Sequence, residues 1–539
     1  MKTPRFFVVV AVLASACAPQ ETQDGDPVIP DATCDATAPA RSPLRRLTHP
    51  ELHHTLVELL HVDDPGVLDL LPPESLGGFS NNTDVRSVGA DTATAYDALA
   101  ERLAADIVSD PRPLLGCELA SDGCVEGWLP GFIEQAFRRP VAPERAERLM
   151  GLYRSAKAEW GPADALDVTL QVLFQSPEFL YRVEPTALRA APGEVVTLDG
   201  YEMANRLSYF LWASPPDAAL RAAAASGALD TAEGIESHAR RMLEDPRAER
   251  AIFGFFREWM DLQHLEEVEK DPALHGDFTD EIRHAYEAEV EAFIGEVWNT
   301  EDASFEVLLT ASWTMADVDL ATWYGLPAPT ESGFQRIERD SAYHAGFFTQ
   351  GAFLASRARP YESSPVHRGM FFRGNLLCES MRPPTGLDIT PPDPDPNLTT
   401  RERLAQHRAD PSCAGCHDKL DPPGFALEHF DAVGRFRDSE NGKAIDATGD
   451  LAGTDKDGPF DGANELAWML VESEDVQRCF GRQWFRYAHG RTDDKGRDAC
   501  AVGSAVQAFT DSKLDMRELI IATTTTRAFR SAIGAPEGT

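Results

Sequence analysis

Apolar residues recur along most of this chain at the three- and four-residue spacing of helices, and alternating, strand-like runs are few. That pattern is buried by packing helix on helix, so the expected fold class is mainly α. Thr48 and Glu51 match a capping box, Pro50 falls in the first turn, and Leu52, Leu56, Leu59 and Leu60 supply one apolar face. Helical periods follow at 132–137, 144–153, 165–181, 201–212, 235–242, 252–262 and 280–298. With 539 residues the chain outgrows one small core, and a multi-part helical body of about two to four units is expected.

The periodicity lapses after Tyr361, where Pro and Asp gather over 382–397. Thr399 and Glu402 match a second capping box, and the helix they open should break at Asp410-Pro411. The Gly- and Asp-rich stretch 445–460 reads as loops or a small hairpin, and helical spacing returns from Gly462 through Trp484 and Tyr487 and over 516–522. The expected organisation is a signal peptide at 1–17, a tether at 18–43 and helical parts at 44–125, 126–190 and 191–335. A loop-rich part containing a Cys-x-x-Cys-His motif follows at 336–440, and a C-terminal helical segment at 441–539.

The N-terminus carries Lys2 and Arg5, an apolar stretch over 6–16 too short to span a bilayer, and then Cys17. Ala14, Ser15 and Ala16 before Cys17 resemble a lipobox, although the usual Leu sits one place early at Leu13. Export is the expectation, either as an outer-membrane or cell-surface lipoprotein lipidated at Cys17 or as a periplasmic protein. Membrane attachment would then be through the lipid alone. With 50 basic against 88 acidic residues and a net charge of -38, the surface repels nucleic acid, which is excluded as a partner.

An oxidising compartment lets cysteines pair. Setting aside Cys17, Cys413 and Cys416 leaves six of the nine: Cys34, Cys117, Cys124, Cys378, Cys479 and Cys500. Cys117 and Cys124 flank a short Gly- and Asp-containing loop, and Cys479 and Cys500 flank a helix and a polar turn, so these two pairings are favoured. Cys34 with Cys378 is the remainder.

Cys413-Ala-Gly-Cys416-His417 carries the chemistry. Two sulfurs at this spacing meet the two vinyl groups of a porphyrin while the adjacent imidazole reaches the iron, which makes haem c the expected cofactor and His417 its proximal ligand. The same spacing occurs in thioredoxin-like dithiols, structural disulfides and half zinc sites, but no second cysteine motif and no βαβ context accompanies it. Met469, 52 residues after His417, is a distal candidate that equally fits the apolar face of Leu466 and Leu470. His429, His489 and Met516 are weaker candidates. Asp421-Pro422-Pro423-Gly424-Phe425 reads as a tight turn with a carbonyl placed to accept the Nδ1 proton of His417. Asp455, Asp457 and Asp461 with Gly458 fall short of a calcium loop and read as a solvated loop. His49, His53, His54 and His61 read as a solvated helix face. No nucleophile elbow, phosphate-binding loop or His-Glu-x-x-His is present.

Several phrases together resemble one family: Arg46-Leu47-Thr48, Ala136-Phe137-Arg138-Arg139-Pro140 and Gln175-Ser176-Pro177-Glu178-Phe179-Leu180-Tyr181. To these are added Arg206-Leu207-Ser208-Tyr209-Phe210-Leu211-Trp212, Ser364-Pro365-Val366-His367-Arg368-Gly369 and the run 413–437. They resemble the planctomycete-type cytochrome c surface proteins, a multi-domain family also found in myxobacteria. The resemblance implies a helical, exported haem c protein built from domains of unknown function, without an assigned substrate. His489 stands where similar chains carry Leu. The expected function is electron transfer or an oxidative redox reaction at the cell envelope with an unknown redox partner, and a haem-dependent oxidoreductase is left open. The alternative is a surface scaffold or binding lipoprotein in which Cys413 and Cys416 form a disulfide.

Overall fold

The computed structural model describes residues 43–534, apart from 73, 75–77, 85–87, 301–302, 381–394 and 409–410 and the side chains of 67, 68, 407, 411 and 412. The signal segment with Cys17, the tether with Cys34, most of the Pro- and Asp-rich stretch and the Asp410 junction lie outside the described residues. Helices dominate, and each sheet is a two-stranded antiparallel pair. The chain is mainly α, in a multi-part arrangement. Among the described residues no helix is long and apolar enough to cross a membrane.

Two compact units form. One holds 264–293 and 306–479, the other 43–263, 294–305 and 480–534. In the second unit Thr48 closes both capping-box hydrogen bonds with Glu51 and starts the helix His49–Leu60. Leu52 and Leu56 from that helix join Leu129, Ile133, Leu166 and Leu170 in a buried core. A second layer of this unit is aromatic, with Phe255 stacked on Trp484 at 3.6 Å between ring centroids and Trp259 and Phe480 around them. Such rings bury large areas and fix relative orientation by edge and face contacts.

Buried arginines explain the family-like phrases. Arg138 ends the helix Cys124–Ala136 in a left-handed conformation (φ 60°). Its guanidinium donates to the carbonyls of Glu178, Phe179 and Tyr181. Arg206 likewise pairs with Glu184 and donates to the carbonyls of Phe529 and Ser531. A guanidinium is a rigid fork of five donors, suited to collecting carbonyls that no helix satisfies.

The helix Pro143–Trp160 and the pair Pro162–Phe174 and Pro177–Leu180 cover the spacings read at 144–153 and 165–181 with a break at Gln175-Ser176, except that Tyr181 begins the strand Tyr181–Arg182. The hairpin in 445–460 is the pair Thr448–Asp450 and Pro459–Asp461. His49, His53, His54 and His61 do not form a solvated face. His49 is buried against Glu74, His54 holds the Ala213 carbonyl, and only His61, in a left-handed C-cap, is exposed. Burial lowers the His54 imidazole to about 4.

Candidate functional site

The Cys-x-x-Cys-His motif lies in the first unit on the helix Pro411–Phe425. The helix before it, Thr400–Arg408, starts from Thr399, which exchanges both capping-box bonds with Glu402. Helical spacing puts Cys413, Cys416 and His417 on one face, at positions i, i+3 and i+4. Cys413 and Cys416 are half-buried thiols, and the His417 side chain is 14% exposed.

The stretch 421–425 is helix, where a tight turn was expected, although Pro422 and Pro423 lie inside it. A proline in a helix removes the donor to the carbonyl four residues back, which strands Asp418 and Lys419. Arg373, fully buried, replaces one lost bond by donating Nε to the Lys419 carbonyl at 3.0 Å and Nη2 to that of Ala452 at 2.9 Å. Asp418 is exposed, so water can serve its carbonyl.

Two glycines let the helix Pro365–Phe371 approach closely. A Cβ on Gly369 would sit 1.8 Å from the Leu420 carbonyl oxygen, and one on Gly424 would sit 1.9 Å from that of Pro365. Arg368 of that helix is fully buried, donating to the Leu427 carbonyl at 2.7 Å and pairing with Glu428 at 3.2 Å. Glu428 also receives Arg437 and Ser363. Burial pushes the Glu428 carboxyl up and lowers Arg368 to about 10, so the ions are held by their mutual contacts against a desolvation cost. The phrases 364–369 and 413–437 are therefore one packed assembly supporting the motif helix.

The partner of His417 differs from the expected backbone carbonyl. Nδ1 lies 2.9 Å from Oδ1 of Asp421, one turn on, and Asp421 is fully buried. The other carboxylate oxygen is 3.8 Å from Nε of Arg408 and has no hydrogen-bond partner. The signal that could have found it is the i, i+4 spacing of His417 and Asp421, which is visible only once the segment is read as helix.

The remaining candidates are placed elsewhere or used otherwise. Met469 is half-buried on the helix Gly462–Glu472 beside Gly458, and nothing places it against His417. His429 packs between Tyr343 and Phe436 with Nδ1 on the Arg437 carbonyl. His489 and Met516 are buried in the other unit. Asp455 accepts from Ser473 Oγ and Glu474 N, and Asp457 from Gly453 N, so these carboxylates cap and brace their loop. Among the described residues no group of three or more His, Cys, Asp or Glu could hold a metal ion.

The cysteine pairing is corrected in part. Cys117 bonds Cys124, but Cys479 bonds Cys378 rather than Cys500. Cys500 is also disulfide-bonded, and because Cys378 is taken by Cys479, the pair Cys34 with Cys378 does not form. Cys479 sits inside the helix Glu474–His489 and is bonded within its own unit to Cys378, which follows the π-helical stretch Phe372–Leu376. Closeness in sequence misled because a helical cysteine meets what its face packs against.

The fit of this donor set to a haem rests on its chemistry: two thiols and an imidazole on one helix face, with the imidazole held through Nδ1 so that Nε2 is the nitrogen Asp421 does not engage. Those residues suit thioether attachment and axial ligation.

Five matches to families run along the chain in order, each described as a protein of unknown function. They are DUF1587 at 45–109, DUF1595 at 124–184, DUF1592 at 198–326, DUF1588 at 344–440 and DUF1585 at 457–529. The motif helix falls in the 344–440 match, whose short name, PSCyt3, is cytochrome-like. The comparison with curated proteins and the comparison with solved structures each return no match. By this ordered set of domains the chain belongs to the planctomycete-type cytochrome c multi-domain proteins.

Proposed function

We propose that the chain is an exported protein of the cell envelope that binds one haem c at Cys413, Cys416 and His417 and exchanges electrons with an envelope partner. The observation that carries this reading is the single helix face presenting two half-buried thiols beside an imidazole already oriented by a buried carboxylate. A haem bound there supplies one-electron chemistry. Cys413 and Cys416 anchor it, His417 offers Nε2, and Asp421 fixes the plane of the imidazole ring. The rigid cradle of Arg373, Gly369 and Gly424 keeps these groups in place during electron exchange. The basic, apolar and small-residue run at 1–17 supports export, with Cys17 as the lipid-bearing residue.

Expression of the full chain with and without a c-type maturation system tests the reading. Covalent haem staining and a reduced α-band are expected only with maturation. A colourless mature chain would sink the redox function and favour a surface scaffold or binding lipoprotein.

A further inference from the structure

We propose that Asp421 is a positioning residue that sets the redox balance of the haem through His417, holding it toward the ferric state; this rests on the function proposed above. A backbone carbonyl in the same place would be a neutral acceptor. Here the acceptor is a carboxylate, 2.9 Å from Nδ1 and fully buried. Its second oxygen lacks any hydrogen bond, and its nearest cation, Arg408 Nε, stands at 3.8 Å. Among the described residues the contact with the imidazole is the carboxylate's one close hydrogen bond.

The placement is also stiff. Leu420 and Gly424, on either side of Asp421 in sequence, are pressed against Gly369 and Pro365 so closely that no Cβ fits, and Arg373 pins the Lys419 carbonyl. The helix backbone that carries the carboxylate is therefore held against that assembly. Negative charge held on Nδ1–H makes Nε2 a stronger donor and favours the iron state with the extra positive charge. Burial strengthens the effect because the field is little screened. The electron count is unchanged: one electron reduces ferric to ferrous iron, and Asp421 alters only the potential at which it does so.

Two variants of opposite sign test the assignment in the matured full chain. Asp421→Asn keeps shape and removes charge, whereas Arg408→Gln removes the opposing cation. Haem content is measured by the pyridine haemochrome, and the midpoint by spectroelectrochemical titration. The expected result is retained haem in both, with Asp421→Asn more easily reduced by about tenfold in the ferrous-to-ferric ratio at fixed potential, which is about 59 mV for one electron. Arg408→Gln should be harder to reduce. A loaded Asp421→Asn protein with the parent potential, or shifts of the same sign in both variants, would overturn the assignment while leaving haem binding intact. If Asp421→Asn does not fold, Arg408→Gln decides alone, an unchanged or raised midpoint counting against the assignment. A parent chain without haem overturns both this inference and the function it rests on.

Discussion

Among the described residues two helices carry both cysteine and histidine, and they use them in opposite ways. On Pro411–Phe425, Cys413 and Cys416 are half-buried thiols and His417 faces a buried carboxylate. On Glu474–His489, Cys479 is buried in a disulfide to Cys378. His489 at its end gives Nδ1 to the carbonyl of Phe485 at 2.9 Å and stacks on the Phe485 ring at 3.9 Å. Its Nε2 is buried without a hydrogen-bond partner. Burial holds that imidazole well below its ordinary value, with Arg491 adding to the effect. The residue types are therefore not what marks a site. What separates the helices is a charged acceptor beside half-buried thiols in one, and a neutral acceptor within packed aromatic rings in the other.

The largest expected effect breaks the first helix as a haem site. Cys413→Ala with Cys416→Ala should abolish covalent haem completely, read by haem staining of the denatured chain, whereas His489→Leu should leave the staining at the parent level. Staining lost in both would erase the contrast between the helices. Next comes the disulfide. Cys378→Ser with Cys479→Ser opens a 101-residue separation and should cost about 4 kcal/mol of stability in denaturant titration. A loss below about 1 kcal/mol would mean that this cysteine does not serve the structure as argued.

Gly424→Ala should cost about 3 kcal/mol, since its new Cβ meets the Pro365 carbonyl rather than a movable side chain. An unaffected thermal midpoint would mean that the motif helix is not gripped there. The smallest effect concerns pH. A histidine whose folded value is depressed binds fewer protons than in the unfolded chain, so stability falls as pH drops below about 6.5 and is fully present above it. His489 should contribute a slope of up to about 1.4 kcal/mol per pH unit in that range. His54, lowered to about 4, and His344, lowered to about 3, both by burial first, act in the same direction. His489→Leu should flatten the dependence by one proton's share, and an unchanged slope in pH-resolved unfolding would contradict its burial in the neutral form.

Helices with ordinary signals were legible in the sequence. The capping pairs Thr48 with Glu51 and Thr399 with Glu402 both close as the pattern implies, because both bonds lie within four residues. The hairpin of 448–461 was legible from its Gly and Asp residues. The last turn of the motif helix was not. Pro422 and Pro423 argue locally for a turn, and what overrules them is Arg373, about fifty residues earlier, together with Gly369 on the neighbouring helix. Missing that helix hid Asp421 as the partner of His417. The Cys378–Cys479 bond was hidden for the same reason, since packing across a long separation decides it. The motif itself was fully legible, as covalent attachment needs only the local spacing.

Mass spectrometry of the mature chain after proteolysis reads the state of both cysteine pairs at once. The peptide containing Cys413 to His417 should carry the mass of one haem, joined through both sulfurs, and peptides containing Cys479 and Cys378 should be recovered joined to each other. A motif peptide recovered from a maturation-competent host without that added mass, or with Cys413 and Cys416 oxidised to a disulfide, would contradict haem attachment at the motif.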